Sequence, residues 1–343
     1  MAEVAAAAGV SRMTVSYAYS QPERLSAAAA ASVAEAAARL GYSGPHPGAR
    51  ALRRGRAGAI GVVIGEHLTY AFEDPQAAQF LSGVAAVCAQ NSVAMTLVPV
   101  TGAADDGARV SAAAVDGFVV WTLDECDPVL DAVAATGLPA AVHGAITAAH
   151  LATVGINDRA AATAIGELAF LRAQHPVVLS FPLDSRRHTG LHTGLDPQSA
   201  TFPVTRDRLL GLRDAWHRQG RSWSDVRVAV CSTNTGLDAA PVLSDLLASA
   251  EDFDAVAAMS DELALATISA LASTHRRTPA DVAITGFDDT AAAAPAGLST
   301  IHQDLRGQGA QCAHIALHPS AQRDGTTVND WHVIERATTR ART

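Results

Sequence analysis

Over the first forty residues, apolar positions recur at helical spacing in three short runs. Ala2 to Ala8 is almost wholly apolar, and Gly9-Val10-Ser11 interrupts it. Gly9 suits the positive φ that ends a helix, and Ser11 suits the cap of the next one. Arg12 to Tyr19 then predicts a second helix with Val15 facing inward. After Gln21-Pro22, Leu25 and Ser26 supply a staple and a cap for a third helix running to Leu40, where Gly41 stops it. Two helices joined by a tight glycine turn and braced by a third make the helix-turn-helix pattern.

Residues 43–58 break this periodicity. The stretch is rich in Pro, Gly and Arg and reads as a basic linker with room for one short helix, Gly48 to Arg53. From Ala59 the texture changes to strand-like apolar runs: Ile60–Ile64, Ala94–Val100, Gly117–Trp121, Ala140–His143, Val177–Phe181, Val226–Cys231, Ala255–Met259 and Val282–Phe287. Between most of them lie stretches of helical period, such as Gln76–Gln90, Arg159–Leu171, Arg206–Gln219 and Glu262–Ser273. Continuous apolar strands alternating with helices predict parallel sheets covered on both faces. The expected fold is therefore an all-α helix-turn-helix domain over 1–44, a linker over 45–58, and an α/β body over 59–343. That body comprises two doubly wound parallel-sheet lobes, with chain crossings expected near 155–158, 288–292 and 318–322.

Composition adds a compartment and a polarity. Hydrophobic residues fill 49% of the 343 positions and charged residues 17%, a globular balance at a length that calls for two or three domains. Every one of the 25 basic residues is arginine, and the net charge is −9. The charge is unevenly spread: residues 1–58 hold seven arginines against Glu3, Glu23 and Glu35, and the remainder holds 18 against 31 acids. A small basic head thus precedes an acidic body, which argues against indiscriminate coating of a polyanion. Cys88, Cys126, Cys231 and Cys312 lie far apart without metal-ligand spacing, as reduced thiols would. No apolar run approaches the ~20 residues of a membrane span, and residues 1–20 lack a secretory pattern. The expectation is a cytoplasmic protein without a membrane partner.

Four motifs in order carry a resemblance: Val4-Ala-x-x-Ala-Gly9-Val-Ser-x-x-Thr14-Val-Ser16, Leu40-Gly-Tyr42, Ala49-x-Ala-Leu52-x-x-Gly55-Arg56, and Ile60-Gly61-Val62. Two late stretches, Val282-x-x-Thr-Gly286-Phe-Asp288-Asp289 and Leu298-Ser-Thr-Ile301-His-Gln303, extend it to the end of the chain. The whole resembles the lactose/galactose-repressor (LacI/GalR) family of bacterial transcription regulators. The resemblance implies a homodimer, with a tetramer also open, bound to double-stranded DNA at an inverted-repeat operator with a central CpG. It also implies a body like the type I periplasmic binding proteins, sensing a small effector between its lobes. Two departures stand out. Members begin with a polar cap before the first helix, whereas Met1 stands at the helix itself, so either an upstream start or fraying of this helix is expected. Members also carry charges where this chain reads Ser26, five alanines, Ser32 and Val33.

By motif position Arg12, Met13 and Tyr17 match the base-reading residues, and helical geometry sets them opposite Val15. Arginine can donate two bonds to guanine, and methionine or tyrosine can touch a thymine methyl. Ser11, Thr14 and Ser16 suit phosphate oxygens. In the linker Leu52 matches the family's minor-groove wedge, with Ala49 along the groove and Arg50 and Arg53 supplying charge. In the body Asp288 and Arg206 match the family's effector-binding aspartate and arginine. Ser260 and Asp261 end a strand at a second cleft position, while Tyr70, Phe72 and Trp121 suit stacking on an apolar ligand face. Structural readings stay open beside these: Asp288 as a helix cap, Arg206 paired with Asp207 or a surface acid, Trp121 as core or dimer surface.

These residue types point to a sugar or related polyol as effector, and a repressor as the regulator's sense. No cofactor and no metal are expected. His188, His192 and Asp196 lie in a Gly/Thr-rich stretch without a strand or helix to fix them. Nor is an enzyme expected, because G-x-G-x-x-G, the P-loop, H-E-x-x-H and G-x-S-x-G are all missing from the sequence. The alternative is a soluble sugar-binding protein with an impaired DNA-binding head.

Overall fold

The computed structural model describes residues 1–44, 55–65, 68–121, 123–144, 151–249, 252–318 and 325–341. Internal contacts divide the chain into two units, Met1–Gly58 and Ala59–Thr343. The hinge positions Ala49, Arg50, Leu52 and Arg53 lie outside the described residues.

In the first unit, α1 (Ala2–Ala8), α2 (Arg12–Ser20) and α3 (Ala27–Arg39) enclose a small core of Val4, Ala5, Val15, Val33, Ala36 and Ala37. Gly9 and Gly41 stand at φ 62° and 63°, and the amides after them fold back onto the helix ends: Val10 N to Ala5 O at 3.0 Å, Tyr42 N to Ala37 O at 2.8 Å. Glycine takes this left-handed geometry without a Cβ penalty. Ser11 and Ser26 cap the helices that follow them, accepting from Thr14 N and Ala29 N. With so much alanine, α1 and α3 approach closely enough for Ser32 Oγ to donate to Ala8 O at 3.1 Å.

The second unit has two lobes. The first is a six-stranded, wholly parallel sheet in the order β2-β1-β3-β4-β5-β12, from Ala94–Pro99, Ala59–Ile64, Gly117–Trp121, Ala140–His143, Ala152–Gly155 and Thr326–Val328. The second is a sheet in the order β10-β9-β6-β8-β7, from Ala283–Thr285, Ala255–Ala258, Pro176–Ser180, Arg227–Val230 and Gly190–Thr193. Here β7 runs antiparallel at the edge and carries His192, so this histidine sits on a strand and not in the loop expected for it. A two-stranded antiparallel ribbon, β11 (Thr300–Gln303) with β13 (Trp331–Ile334), completes the body. β1, β3 and β6 are buried along their whole length, as parallel strands covered by helices must be.

The chain passes between lobes at 155–158, 303–305 and 328–331. The second passage was expected near 288–292, but Ala293 and Leu298 pack into the second lobe's core and Thr290 N donates to Asp261 Oδ2 at 2.6 Å, holding that segment in place. The third, expected near 318–322, comes later because β12 first pairs with β5. Asn329 stitches two passages together, its amide donating to Gly155 O at 2.7 Å.

Each lobe is braced by one helix pair in backbone contact. In the first, a Cβ on Gly83 of helix Pro75–Gln90 would lie 1.9 Å from Arg306 O, and one on Gly309 of helix Leu305–Leu317 would lie 2.1 Å from Phe80 O. In the second, Gly211 of helix Pro203–His217 approaches Arg159 O of helix Asp158–Ala169 within 2.3 Å of the same construction. Such crossings leave no room for any side chain. We expect Gly83→Ala to cost about 2–3 kcal/mol by forcing the helices apart, read as a drop of several degrees in the calorimetric Tm. Gly107→Ala, which would meet only Ala132 Cβ at 3.5 Å, should leave the Tm unchanged or slightly raised.

Candidate functional site

On the head, α2 presents one polar face. Arg12 is exposed and Met13 is 63% exposed, whereas Val15 is wholly buried, so the helix divides as its period predicts. Thr14, Ser16 and Tyr17 are half-buried along the same helix. Ser11 Oγ accepts from Thr14 N at 3.0 Å and shares a 2.9 Å hydrogen bond with Thr14 Oγ1, so these two hydroxyls hold the helix start together. The Arg24 guanidinium stands over the Tyr17 ring at 5.7 Å. The face offers guanidinium, thioether, hydroxyl and phenol groups, which suit the edges and phosphates of a nucleic-acid groove.

In the body a cleft opens between the lobes at the carboxyl ends of β3, β4, β5, β6, β8, β10 and β11, with roughly 940 Å³ of empty space including its mouth. This is where ligands sit in open α/β sheets. Its floor is organised by Arg208. The guanidinium donates from Nε to Asp158 Oδ1 at 2.8 Å and from Nη1 to Met259 O at 2.5 Å, and it covers the Phe287 ring at 3.6 Å. Asp288 Oδ1 lies 4.0 Å from Nη2 and accepts from Gln303 Nε2 at 2.7 Å. Burial pushes the Asp288 carboxyl well above the usual carboxylate range, against the pull of Arg208.

From Asp288 a hydrogen-bond chain runs into the first lobe: Gln308 Nε2 donates to Gln303 Oε1 at 3.2 Å, and His143 Nε2 lies 2.8 Å from Gln308 Oε1. His143 stacks on Trp121 at 4.5 Å, and burial lowers its imidazole to about 4. At the opposite wall Asp74 caps helix Pro75–Gln90 through Oδ1, while its Oδ2 accepts from Tyr70 Oη at 2.7 Å and, across the lobes, from Asn234 Nδ2 at 2.6 Å. Arg187, at φ 53°, joins the lining with its guanidinium over the Phe202 ring at 5.6 Å and Nη1 donating to Ser232 O at 3.1 Å.

Tyr70, Trp121 and Asp288 line this cleft, and four other expected residues do not. Arg206 instead pairs bidentately with Glu125 of the first lobe, at 2.5 and 2.8 Å. Two residues apart on a helix point in opposed directions, so Arg208 shares the buried face of Thr205, Leu209 and Leu212 and Arg206 cannot. Ser260 caps helix Asp261–Ala272 and donates to Asn234 Oδ1, meeting the cleft only through that asparagine. Asp261 is buried beneath the segment after β10, accepting from Thr300 Oγ1 at 2.6 Å and Thr290 N, and burial raises it to about 6. Phe72 is 70% exposed and points away. Trp121, 8% exposed and packed on His143 and Phe80, has little ring face left for stacking on a ligand.

Among the described residues no group of three His, Cys, Asp or Glu side chains is arranged to hold a metal, and no helix is long and apolar enough to cross a membrane. Arg208, Asp158, Asn234, Gln303, Gln308 and Arg187 were not singled out by sequence. For Arg208 the signal was present, in the i, i+3, i+4, i+7 spacing of its helix.

Residues 1–44 match the family model of bacterial regulatory proteins of the lacI family, and residues 183–339 match that of periplasmic binding protein-like domains. The HTH-type transcriptional regulator IpsA of Corynebacterium glutamicum is 36% identical over 326 residues, covering 92% of this chain and 90% of the relative. Among solved structures, a LacI-family transcriptional regulator from Corynebacterium glutamicum superposes with a TM-score of 0.74 at 28% identity, covering 99% of this chain and 97% of the other. The transcriptional regulator CelR–cellobiose complex shares the fold, with a TM-score of 0.68 at 22% identity over 98% of each chain.

The contrast between the two arginines is measurable. Arg208→Met leaves Asp158 buried without its cation and should cost about 3–5 kcal/mol. Arg206→Met removes a part-exposed pair and should cost about 1 kcal/mol or less. Denaturant unfolding of the two variants checks both values. His143 gives a pH signature. Its folded imidazole stays neutral down to about 4 against an ordinary 6.5, so stability is fully present above pH 6.5 and is lost as pH falls between those values. Because the cleft admits water, the effect should be about 1–2 kcal/mol. His143→Gln should therefore show a shallower fall in Tm between pH 6.5 and 4 than the wild type.

Proposed function

The chain belongs to the lacI family of bacterial regulatory proteins and is a DNA-binding transcriptional regulator, and we propose that its effector is a neutral sugar or related polyol held in the interlobe cleft. The observation that carries this reading is the charge balance of the cleft. Asp158 is paired with Arg208, Asp288 accepts from Gln303, and Asp74 accepts from Tyr70 and Asn234. The lining sets Asp74 and Asp158 against Arg187 and Arg208, and burial pushes Asp288 toward its neutral form, so it offers a ligand hydrogen-bonding sites and little net charge, which a polyol matches. CelR, which shares the fold, was solved with cellobiose.

On this reading the chain works as a homodimer, each head placing α2 in the major groove of one half of an inverted repeat. Arg12, Met13 and Tyr17 read bases, and Ser11, Thr14 and Ser16 meet phosphates. Ala49, Arg50, Leu52 and Arg53 enter the minor groove at a central CpG step, where kinking is inexpensive. Ligand and operator are coupled through the lobes, so each alters the affinity for the other by the same factor. The chain acts in the cytoplasm, as a repressor, and by binding alone without catalysing a reaction.

Selection of the purified protein on a random double-stranded DNA pool at moderate salt tests this. We expect one inverted repeat with a central CpG, and altered operator affinity with at least one of D-ribose, D-glucose or cellobiose. Asp288→Ala should retain the repeat and lose the sugar response. Salt-sensitive binding without a shared repeat would overturn the regulator reading in favour of a ligand-binding protein with an impaired head.

A further inference from the structure

The first-lobe wall of the cleft carries a histidine whose role nothing above assigns. His143 ends β4 and lines the cleft. Its Nε2 is engaged with Gln308 Oε1, which belongs to a chain anchored at Asp288. The direction of that chain follows from its far end. Asp288 Oδ1 faces the donor-only guanidinium of Arg208 at 4.0 Å, which keeps any proton that burial places on this carboxyl on Oδ2, and it receives Gln303 Nε2 at 2.7 Å, so Oδ1 is an acceptor. Gln303 Oε1 must then accept from Gln308 Nε2, and Gln308 Oε1 from His143. Reversing the amides would set Gln303 Oε1 against Asp288 Oδ1, two acceptors in contact. Two amides thus transmit the polarity of a second-lobe carboxyl to a first-lobe imidazole and hold it as the Nε2–H tautomer.

We propose that His143 is a specificity-determining residue of the ligand site, whose Nδ1 lone pair accepts a hydrogen bond from an alcohol hydroxyl of the ligand. This rests on the polyol reading above and sharpens it: the subsite requires a donor and rejects an ether, a carbonyl or a methyl group at that position. A second observation points the same way. Trp121, stacked on His143 and also lining the cleft, has a buried Nε1–H without an acceptor. An unanswered buried donor is costly, so this wall holds a donor beside the imidazole acceptor, and a hydroxyl is a group that can both donate and accept. The neutral imidazole at ordinary pH fits this role.

The tautomer is read without any ligand. In the 15N-labelled full-length protein at pH 7, two-bond imidazole correlations, assigned by their loss in His143→Phe, should show Nε2 protonated and Nδ1 bare. In Gln308→Leu the preference should relax to a mixture. An Nδ1–H tautomer or an imidazolium in the wild type would overturn the proposal. The specificity is read by thermal shift with D-ribose, D-glucose and cellobiose. The sugar that stabilises the wild type should bind His143→Phe about tenfold or more weakly. His143→Asn, whose Oδ1 takes the place of Nδ1, should recover part of that loss. Undiminished binding by His143→Phe would sink the idea even with the expected tautomer. Failure of all three sugars on the wild type would instead count against the polyol reading, while the imidazole measurement still decides whether His143 presents an acceptor.

Discussion

One buried guanidinium holds the floor of this molecule's cleft. Arg208 reaches the first turn of the helix that begins the second lobe through Asp158, the end of β9 through Met259 O, and the end of β10 through the Phe287 ring. A cation with so little exposed surface is tolerable only where hydrogen bonds and a carboxylate offset its charge. The elements around it are placed accordingly. Asp158 starts a helix directly after the first lobe crossing, and Asp288 leaves β10 with φ at 108°, a strained geometry that turns its carboxyl toward the same centre. The strain is held by Asp288 N donating to Ile301 O at 2.7 Å.

Around that floor the two lobes are tied at separate points by different chemistry. Asn234 and Asp74 meet in a buried neutral-to-charged hydrogen bond, whereas Arg206 and Glu125 meet as a part-exposed ion pair beside Thr201 and Asp124. The first is shielded and costly to leave unmade; the second is screened and easily exchanged with water. Within each lobe the glycine crossings allow no such exchange, because backbone lies on backbone. Rigid lobes joined by a few polar contacts confine motion to the chain passages, two of which are stitched together by Asn329 N donating to Gly155 O.

How much of this was legible in the sequence depended on burial. Strands covered on both faces wrote continuous apolar runs and were readable to within a residue or two: β1, β3 and β4 stand where their runs do. β7 is exposed on both faces, at Leu191 as at His192 and Thr193, so no apolar run announced it. The β11–β13 ribbon and β12 are only three or four residues long and made by long-range pairing, which local pattern does not encode. In the site, carboxylates at strand ends looked equivalent. Asp288 opens to the cleft, while Asp261 is closed over by Thr290 and Thr300, residues distant in sequence. The arginine was misplaced by two positions because motif matching weighed residue type above the helical face that Leu209 and Leu212 define.

The cleft's polarity follows from the same placement. Because Asp288 and Arg208 belong to the second lobe and His143 to the first, the chain through Gln303 and Gln308 makes one lobe's electrostatics a condition of the other's hydrogen-bonding pattern. Gln303 precedes the second crossing and Gln308 lies just beyond it, so the chain of amides crosses where the backbone crosses. A ligand shifts an equilibrium between lobe arrangements only by what it gains differently in each. On the proposal that a ligand hydroxyl meets His143, a ligand that also touches Asp288 gains most when both ends of this chain are in register, which ties its affinity to the closure of the amide pair across the lobes.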